Sequence, residues 1–446
     1  MSITLKRQIG FRTATALIIG EVIAIGIFLT PAGMAKSLGS PFWLLVVWLL
    51  MGAMALCGAL CYGELAARFP EAGGAYVYLR EAYGPTVAFL YGWMALAVMD
   101  PGLTAALAVG LASYAGYIFP MSSAMMKIVA LGSIFFLAFI NIRGVRLGGS
   151  FIRWLTVLKM VLLLGVLLWG FASQRGSWAN FTPLVAQRPG SAPFIGALAG
   201  GLVAAFFSFG GWWDLSKVAG EVRDPENTLP RALVIGVSVL TVVYILTTAV
   251  FLYLVPLDRV TSGETFAAQV GEVLFGNAGG KLFSTIVIVA VVGSLAAVIM
   301  SAPRVYFAMA RDGLFVPWAA ALHPRFATPA RAILIQAVLA SVLVLIGTFN
   351  TIISYFIFVV VVFLALTVAG LFVLRRKQSR EVQYRTPGYP VTPIVFLILI
   401  TVLLVLLAGN NPVQAFAGVG VVALGLPVYY LLFRRKYSKS TIETST

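Results

Sequence analysis

Three ionisable side chains stand in apolar company in this sequence: Glu21 in GEVIAIGIF, Asp100 in VMDPG and Lys159 in TVLKM. A charge at mid-depth in hydrocarbon costs about 2.5 kcal/mol or more unless it is paired, hydrated or protonated. Glu21 falls roughly 18 Å into its apolar run and Lys159 roughly 12 Å from the end of its own, at 1.5 Å per helical residue. For Glu21 and Asp100 three roles are open: ion-pair partner of Lys159, proton carrier, or counter-ion of a cationic substrate. A structural partner or a neutral acid bonded to nearby backbone is the plainer reading. Lys159 either snorkels toward the headgroups or serves as a fixed cation. The only histidine, His323, lies in a loop, so a proton relay within the membrane must use Glu21 or Asp100.

Two stretches are suited to breaking a helix. One is Gly20 to Gly26, and the other is Phe207-Ser208-Phe209-Gly210-Gly211-Trp212-Trp213. Glycine lowers helix stability. Backbone freed by a break must meet a polar ligand, water or protein. Helix amino ends attract carboxylate and carboxyl ends attract ammonium, so two facing breaks suit a zwitterion. The alternative is that these glycines only permit close helix packing.

The elements that must hold these residues are transmembrane helices. Hydrophobic residues make up 61% of the 446 and charged residues 10%, which excludes a water-soluble globule. Apolar stretches lie at about 9–38, 43–66, 84–118, 127–142, 151–172, 194–216, 231–256, 281–310, 331–348, 351–374, 393–409 and 412–433. The fold class expected is thus an all-α polytopic membrane protein with about twelve spans. The third span, with Pro101-Gly102, could be two pieces, and the first is read as a span, not a cleaved leader. With the amino terminus inside, most of the 31 Lys and Arg fall on the inner side, and Lys159 is the one placed within a span. Both termini are therefore expected in the cytoplasm and the protein in the cell membrane. The +16 net charge then reflects loops facing anionic lipid and requires no nucleic acid. Cys57 and Cys61 share the second span, and no disulfide is expected.

The loops carry a resemblance. Gly63-Glu64-Leu65 through Pro70, Gly73-Gly74, Tyr76 and Tyr78 to Ala82 and Gly84 is similar to a signature of the amino acid/polyamine/organocation superfamily. So are Gly220-Glu221 to Pro225 with Leu229-Pro230-Arg231-Ala232, Arg304 to Gly313, and Tyr384 to Pro390. The nearest likeness within it is to the L-type amino acid transporter group and its bacterial relatives. The resemblance implies a five-plus-five inverted repeat with discontinuous helices 1 and 6, working by alternating access. The repeats would span 1–174 and 190–377, with two further helices at 390–436 and a cytoplasmic tail at 437–446. Eukaryotic members of the group pair with a glycoprotein through an external cysteine. This chain has none there, so no disulfide-linked heavy subunit is expected.

Carried over by position, the resemblance implies that amides of Ala24-Ile25-Gly26 hold the substrate carboxylate, where the group has Gly-Ser-Gly. The carbonyls of Val22, Phe207 and Gly210 would hold the amine, with Phe207 as aromatic gate. Trp213 would replace a polar pocket residue, tightening the site, or else simply pack. Lys159 would occupy the place that sodium holds in sodium-driven relatives. The glutamate, the aspartate and the altered turn depart from the group, and bear on substrate more than on fold.

No clustered metal ligands, phosphate-cradling loop or nucleophile with an adjacent base is present, so neither an enzyme nor a cofactor or metal is expected. Nothing resembles a channel filter. A sodium-independent exchanger or facilitator of amino acids, neutral and apolar, is the leading expectation. A proton-coupled amino acid or amine permease using Glu21 and Asp100 is the alternative, and a transporter-like nutrient sensor is more remote.

Overall fold

In the computed structural model, residues 4–260, 266–346, 357–377, 383–410 and 412–434 are described. The proposed tail at 437–446 lies outside them. The helices are α1 (Phe11–Val22), α2 (Gly26–Leu38), α3 (Pro41–Arg68), α4 (Ala75–Tyr83), α5 (Pro85–Ile118), α6 (Ser123–Ile142), α7 (Val145–Ala172) and α8 (Phe194–Phe209). A 3-10 segment, Trp212–Glu221, follows α8. Then come α9 (Pro225–Leu254), α10 (Phe266–Phe275), α11 (Gly279–Ser301), α12 (Pro303–Arg311), α13 (Ala330–Ile346), α14 (Ile357–Arg376), α15 (Val391–Asn410) and α16 (Pro412–Ala423), with further helical turns to Phe433.

Among the described residues, ten helical segments are long and apolar enough to cross a membrane, and the pair α1 and α2, bent by 44°, makes an eleventh. The remaining expected span, 331–348, corresponds to α13. Its 17 residues rise about 26 Å, short of about 30 Å of hydrocarbon. Residues 347–356, which follow it, lie outside the described residues.

Two other expectations about spans are corrected. The third span is one helix, with a wider π turn at Ala95–Met99 just before Pro101. That local unwinding accommodates a residue that cannot donate to the helical ladder. The sixth span does not end at 216 but runs on to Glu221. Lys217, read as a loop residue, is buried there beside Asp214, which is buried too. Pairing three residues apart lets two charges share a site that neither could occupy alone.

The loop motifs knit one end of the bundle. Arg304 forks onto Glu221 at 2.9 and 3.0 Å. Glu64 accepts from Arg68, Arg375 and the Thr386 amide, and Asp312 accepts from Arg80 and Tyr76. The chain ahead of α1 joins the same end through its main chain. The Gln8 and Ile9 amides donate to the Glu221 carbonyl at 2.8 and 2.9 Å, and the Arg223 amide donates to that of Ile9 at 2.8 Å.

Candidate functional site

Both suspected breaks are present. α1 stops at Val22, and the Ala24 amide turns back onto the Val22 carbonyl at 2.8 Å before α2 starts at Gly26. The carbonyls left behind are satisfied from two neighbouring helices. Lys159 of α7 donates to Gly20 at 2.7 Å, to Ile23 at 2.8 Å and to Ala290 of α11 at 2.9 Å. Three carbonyl acceptors match the three donors of an ammonium. Ser294 adds its hydroxyl to Gly20 at 2.7 Å. Lys159 is 1% exposed, so it does not snorkel.

The second break follows α8. Gly211 adopts φ +109°, which glycine reaches without the strain a Cβ brings. The chain then tightens into the 3-10 segment, with the Asp214 amide on the Gly211 carbonyl at 2.9 Å. Tyr244 of α9 ties the two breaks together. Its hydroxyl lies 3.0 Å from the Val22 carbonyl and 2.9 Å from that of Ser208, while its ring meets Trp48 and Phe209 edge-on. Contact between the breaks is direct: a Cβ on Gly26 would stand 2.7 Å from Ser208 Cα, and the Thr30 and Ser208 hydroxyls are 2.8 Å apart.

Between the breaks lies a cavity of about 80 Å³. At roughly 10–15 Å³ per water on this measure, it holds several waters or one small solute. Every residue that the sequence nominated for substrate lines it: Val22, Ala24, Ile25, Gly26, Phe207, Gly210 and Trp213. Leu103, Leu107 and Val298 supply apolar wall from α5 and α11, and Ile357 and Val360 supply it from α14. Trp213 stacks on Phe206, with ring centroids 6.1 Å apart, so it packs and lines the cavity at once. The Val22 carbonyl already accepts from Tyr244 and from the Ala24 amide, which leaves it little capacity for an amine.

Glu21 and Asp100 also line the cavity; Lys159 is set behind α1 and does not. The proposed ion pair of Asp100 with Lys159 is replaced by another. Asp100 accepts from Lys217 at 2.9 Å and from the Tyr306 hydroxyl at 3.2 Å, and Lys217 also reaches Asp214 at 2.9 Å. Asp214 and Lys217 are the residues that sequence reasoning missed. Their three-residue spacing beside the Gly210-Gly211 break was the available signal. Glu21 Oε1 and Asp214 Oδ1 are buried without a hydrogen-bond partner. Among the described residues, no group of three or more His, Cys, Asp and Glu is arranged to hold a metal.

The model of the amino acid permease family matches residues 9–433. The chain is 32% identical to the serine/threonine exchanger SteT of Bacillus subtilis, over 97% of this chain and 98% of that one. It is 28% identical to the human large neutral amino acids transporter small subunit 2 over 96% of this chain and 81% of that protein, and 29% identical to the mouse Asc-type amino acid transporter 1 over 96% and 82%. The chain belongs to the amino acid permease family of the amino acid/polyamine/organocation superfamily, with its likeness in the L-type group, and is a membrane transporter, not an enzyme.

Proposed function

We propose that the protein carries neutral amino acids across the cell membrane by alternating access, without sodium, as an exchanger or facilitator. The observation that carries this reading is that Gly26, at the amino end of α2, and Phe207, at the carboxyl end of α8, line one cavity. The first amides of α2 have no helical acceptors and the last carbonyls of α8 have no helical donors, so opposite partial charges face each other across a space of amino acid size. The amides of Ile25 and Gly26 hold the carboxylate, that of Ala24 being already donated to the Val22 carbonyl. The carbonyls of Phe207 and Gly210 hold the ammonium, and Phe207 and Trp213 close the apolar wall. Lys159 supplies the fixed charge that makes a sodium ion unnecessary. The substrates in the relatives' names, serine, threonine and large neutral amino acids, support the substrate class.

Two inverted five-span repeats, 1–174 and 190–377, and cytoplasmic termini complete the reading. Its supports are the matching positions of the breaks and the bias of basic residues toward one side. A thermal-shift screen of the purified protein against amino acids tests the site, because a ligand stabilises only the state that binds it. The expected result is a shift with small and medium neutral amino acids, absent with their decarboxylated amines. Uptake of the best ligand into proteoliposomes is expected to be equal in sodium and choline buffers. No shift with any amino acid overturns the reading.

A further inference from the structure

We propose that Glu21 and Asp214 form a carboxyl pair that holds one proton, and that this proton is the ion coupled to transport. The inference rests on reading the cavity as the amino acid site and, in place of uncoupled exchange or facilitation through it, makes the transport proton-coupled.

Glu21 comes from the last turn of α1 and Asp214 from the first turn of the 3-10 segment, so each belongs to one of the two discontinuous spans. Glu21 folds onto the second break. A Cβ built on Gly211 would stand 3.1 Å from Glu21 Cγ and 3.4 Å from its Oε1. The Asp214 amide donates to the Gly211 carbonyl at 2.9 Å, so the glycine that Glu21 folds against is the one that positions Asp214. Both line the cavity, both are at least 95% buried, and each has one oxygen without a partner. Two ionised carboxylates accept only and repel; with one proton between them, one donates to the other and both orphaned oxygens are accounted for.

The charge inventory around the cavity points the same way. Lys217 also faces Glu21, and Asp100 lies beyond it. Lys159 is bonded to Gly20 and Ile23, on either side of Glu21 in the chain. The Tyr306 hydroxyl donates to Asp100 at 3.2 Å, and Tyr62 and Tyr91 bring further hydroxyls to the neighbourhood of Lys217. The buried set is thus three carboxyls, Glu21, Asp100 and Asp214, against two ammonium groups, Lys159 and Lys217. A single proton makes it neutral, the state that a low-dielectric interior favours. A neutral zwitterion does not alter that balance, so the proton remains while substrate is bound. When α1 and the 3-10 segment part and water enters, the pair separates, the proton leaves to water and both carboxylates become hydrated.

Infrared spectroscopy of the purified protein reads the pair directly, with no substrate needed. A protonated-carboxyl band is expected in the wild type, and it is expected to be lost in Glu21→Gln and in Asp214→Asn. In proteoliposomes with a lumenal pH dye, the amino acid selected by thermal shift is expected to enter the wild type with one proton per molecule. That ratio does not depend on rate, and in Glu21→Gln it is expected to fall to zero in whatever transport remains. A wild type without the band, a band retained in both variants, or amino acid entry with no proton flux overturns the proposal. So does uptake of 1,4-diaminobutane with no proton movement, which would make the pair the counter-ion of a second ammonium. A band without amino acid binding would refute the site and leave the pair standing; binding without the band would do the reverse.

Discussion

Lys159 Nζ lies 2.8 Å from the Ile23 carbonyl, at the residue where the first span comes apart. The lysine is what the broken helix has in place of its next turn. It replaces amide donors that an uninterrupted helix would have sent to the Gly20 and Ile23 oxygens, and it fastens the break to α7 and α11.

Replacing Lys159 by Ala takes one donor from each of three buried carbonyls, leaves the Ser294 hydroxyl to serve the Gly20 and Ile23 oxygens alone, and removes a fixed charge. Each unsatisfied group costs about 1–3 kcal/mol, and about 1.4 kcal/mol is a factor of ten. Transport is expected to fall more than tenfold, measured as initial uptake in proteoliposomes at matched protein content. A normal rate would mean that the ammonium plays no part in the cycle.

Gly26→Ala sets a methyl group 2.7 Å from Ser208 Cα, a backbone atom that cannot swing aside. Overpacking of that kind costs about 1–3 kcal/mol, and here it pushes apart the two breaks that frame the cavity. The expected outcome is loss of amino acid binding in the thermal-shift assay. Gly33→Ala, on the same helix α2 with nothing within 4 Å of the new methyl, is expected to bind normally.

Tyr244→Phe keeps the ring that packs on Trp48 and Phe209 and removes only the hydroxyl shared by the Val22 and Ser208 carbonyls. A loss of about 1–2 kcal/mol is expected, seen as a lower melting temperature of the ligand-free protein and weaker substrate binding. Unchanged affinity would show that the two breaks keep their spacing without this tie.

Arg304→Ala strands Glu221 in a site where both side chains are almost fully buried. Breaking one partner of such a pair costs about 3–5 kcal/mol, whereas removing both charges together can be near neutral. The double variant Arg304→Met with Glu221→Gln is therefore expected to be more stable than Arg304→Ala alone, measured by thermal unfolding of the detergent-solubilised protein.

Much of this was legible in the sequence because membrane solvent leaves few options for backbone. Long apolar runs had to be helices, and glycines beside Glu21 and at Gly210-Gly211 marked where two of them stop. All seven nominated substrate residues line one cavity for that reason. What was not legible is which charge meets which. Asp100 lies 117 residues from Lys217, and only the folded bundle brings the two side chains within reach. Lys217 looked like a loop residue because hydropathy reads a charge as the end of a span. It has no means of registering that Asp214, three residues earlier, offsets it. The motifs that carried the resemblance turned out to clamp one end of the bundle and do not line the cavity.

The strands of contact at Gln8, Ile9 and Arg223 run from amide to carbonyl, so they are indifferent to the side chains present. The leading segment and the end of the sixth span are thereby yoked: a hinge movement of either tugs its counterpart. Swapping residues along that seam for others of similar bulk should pass unnoticed. Proline at position 9 would unpick it, because the stitch is made of peptide bonds and not of residue identity.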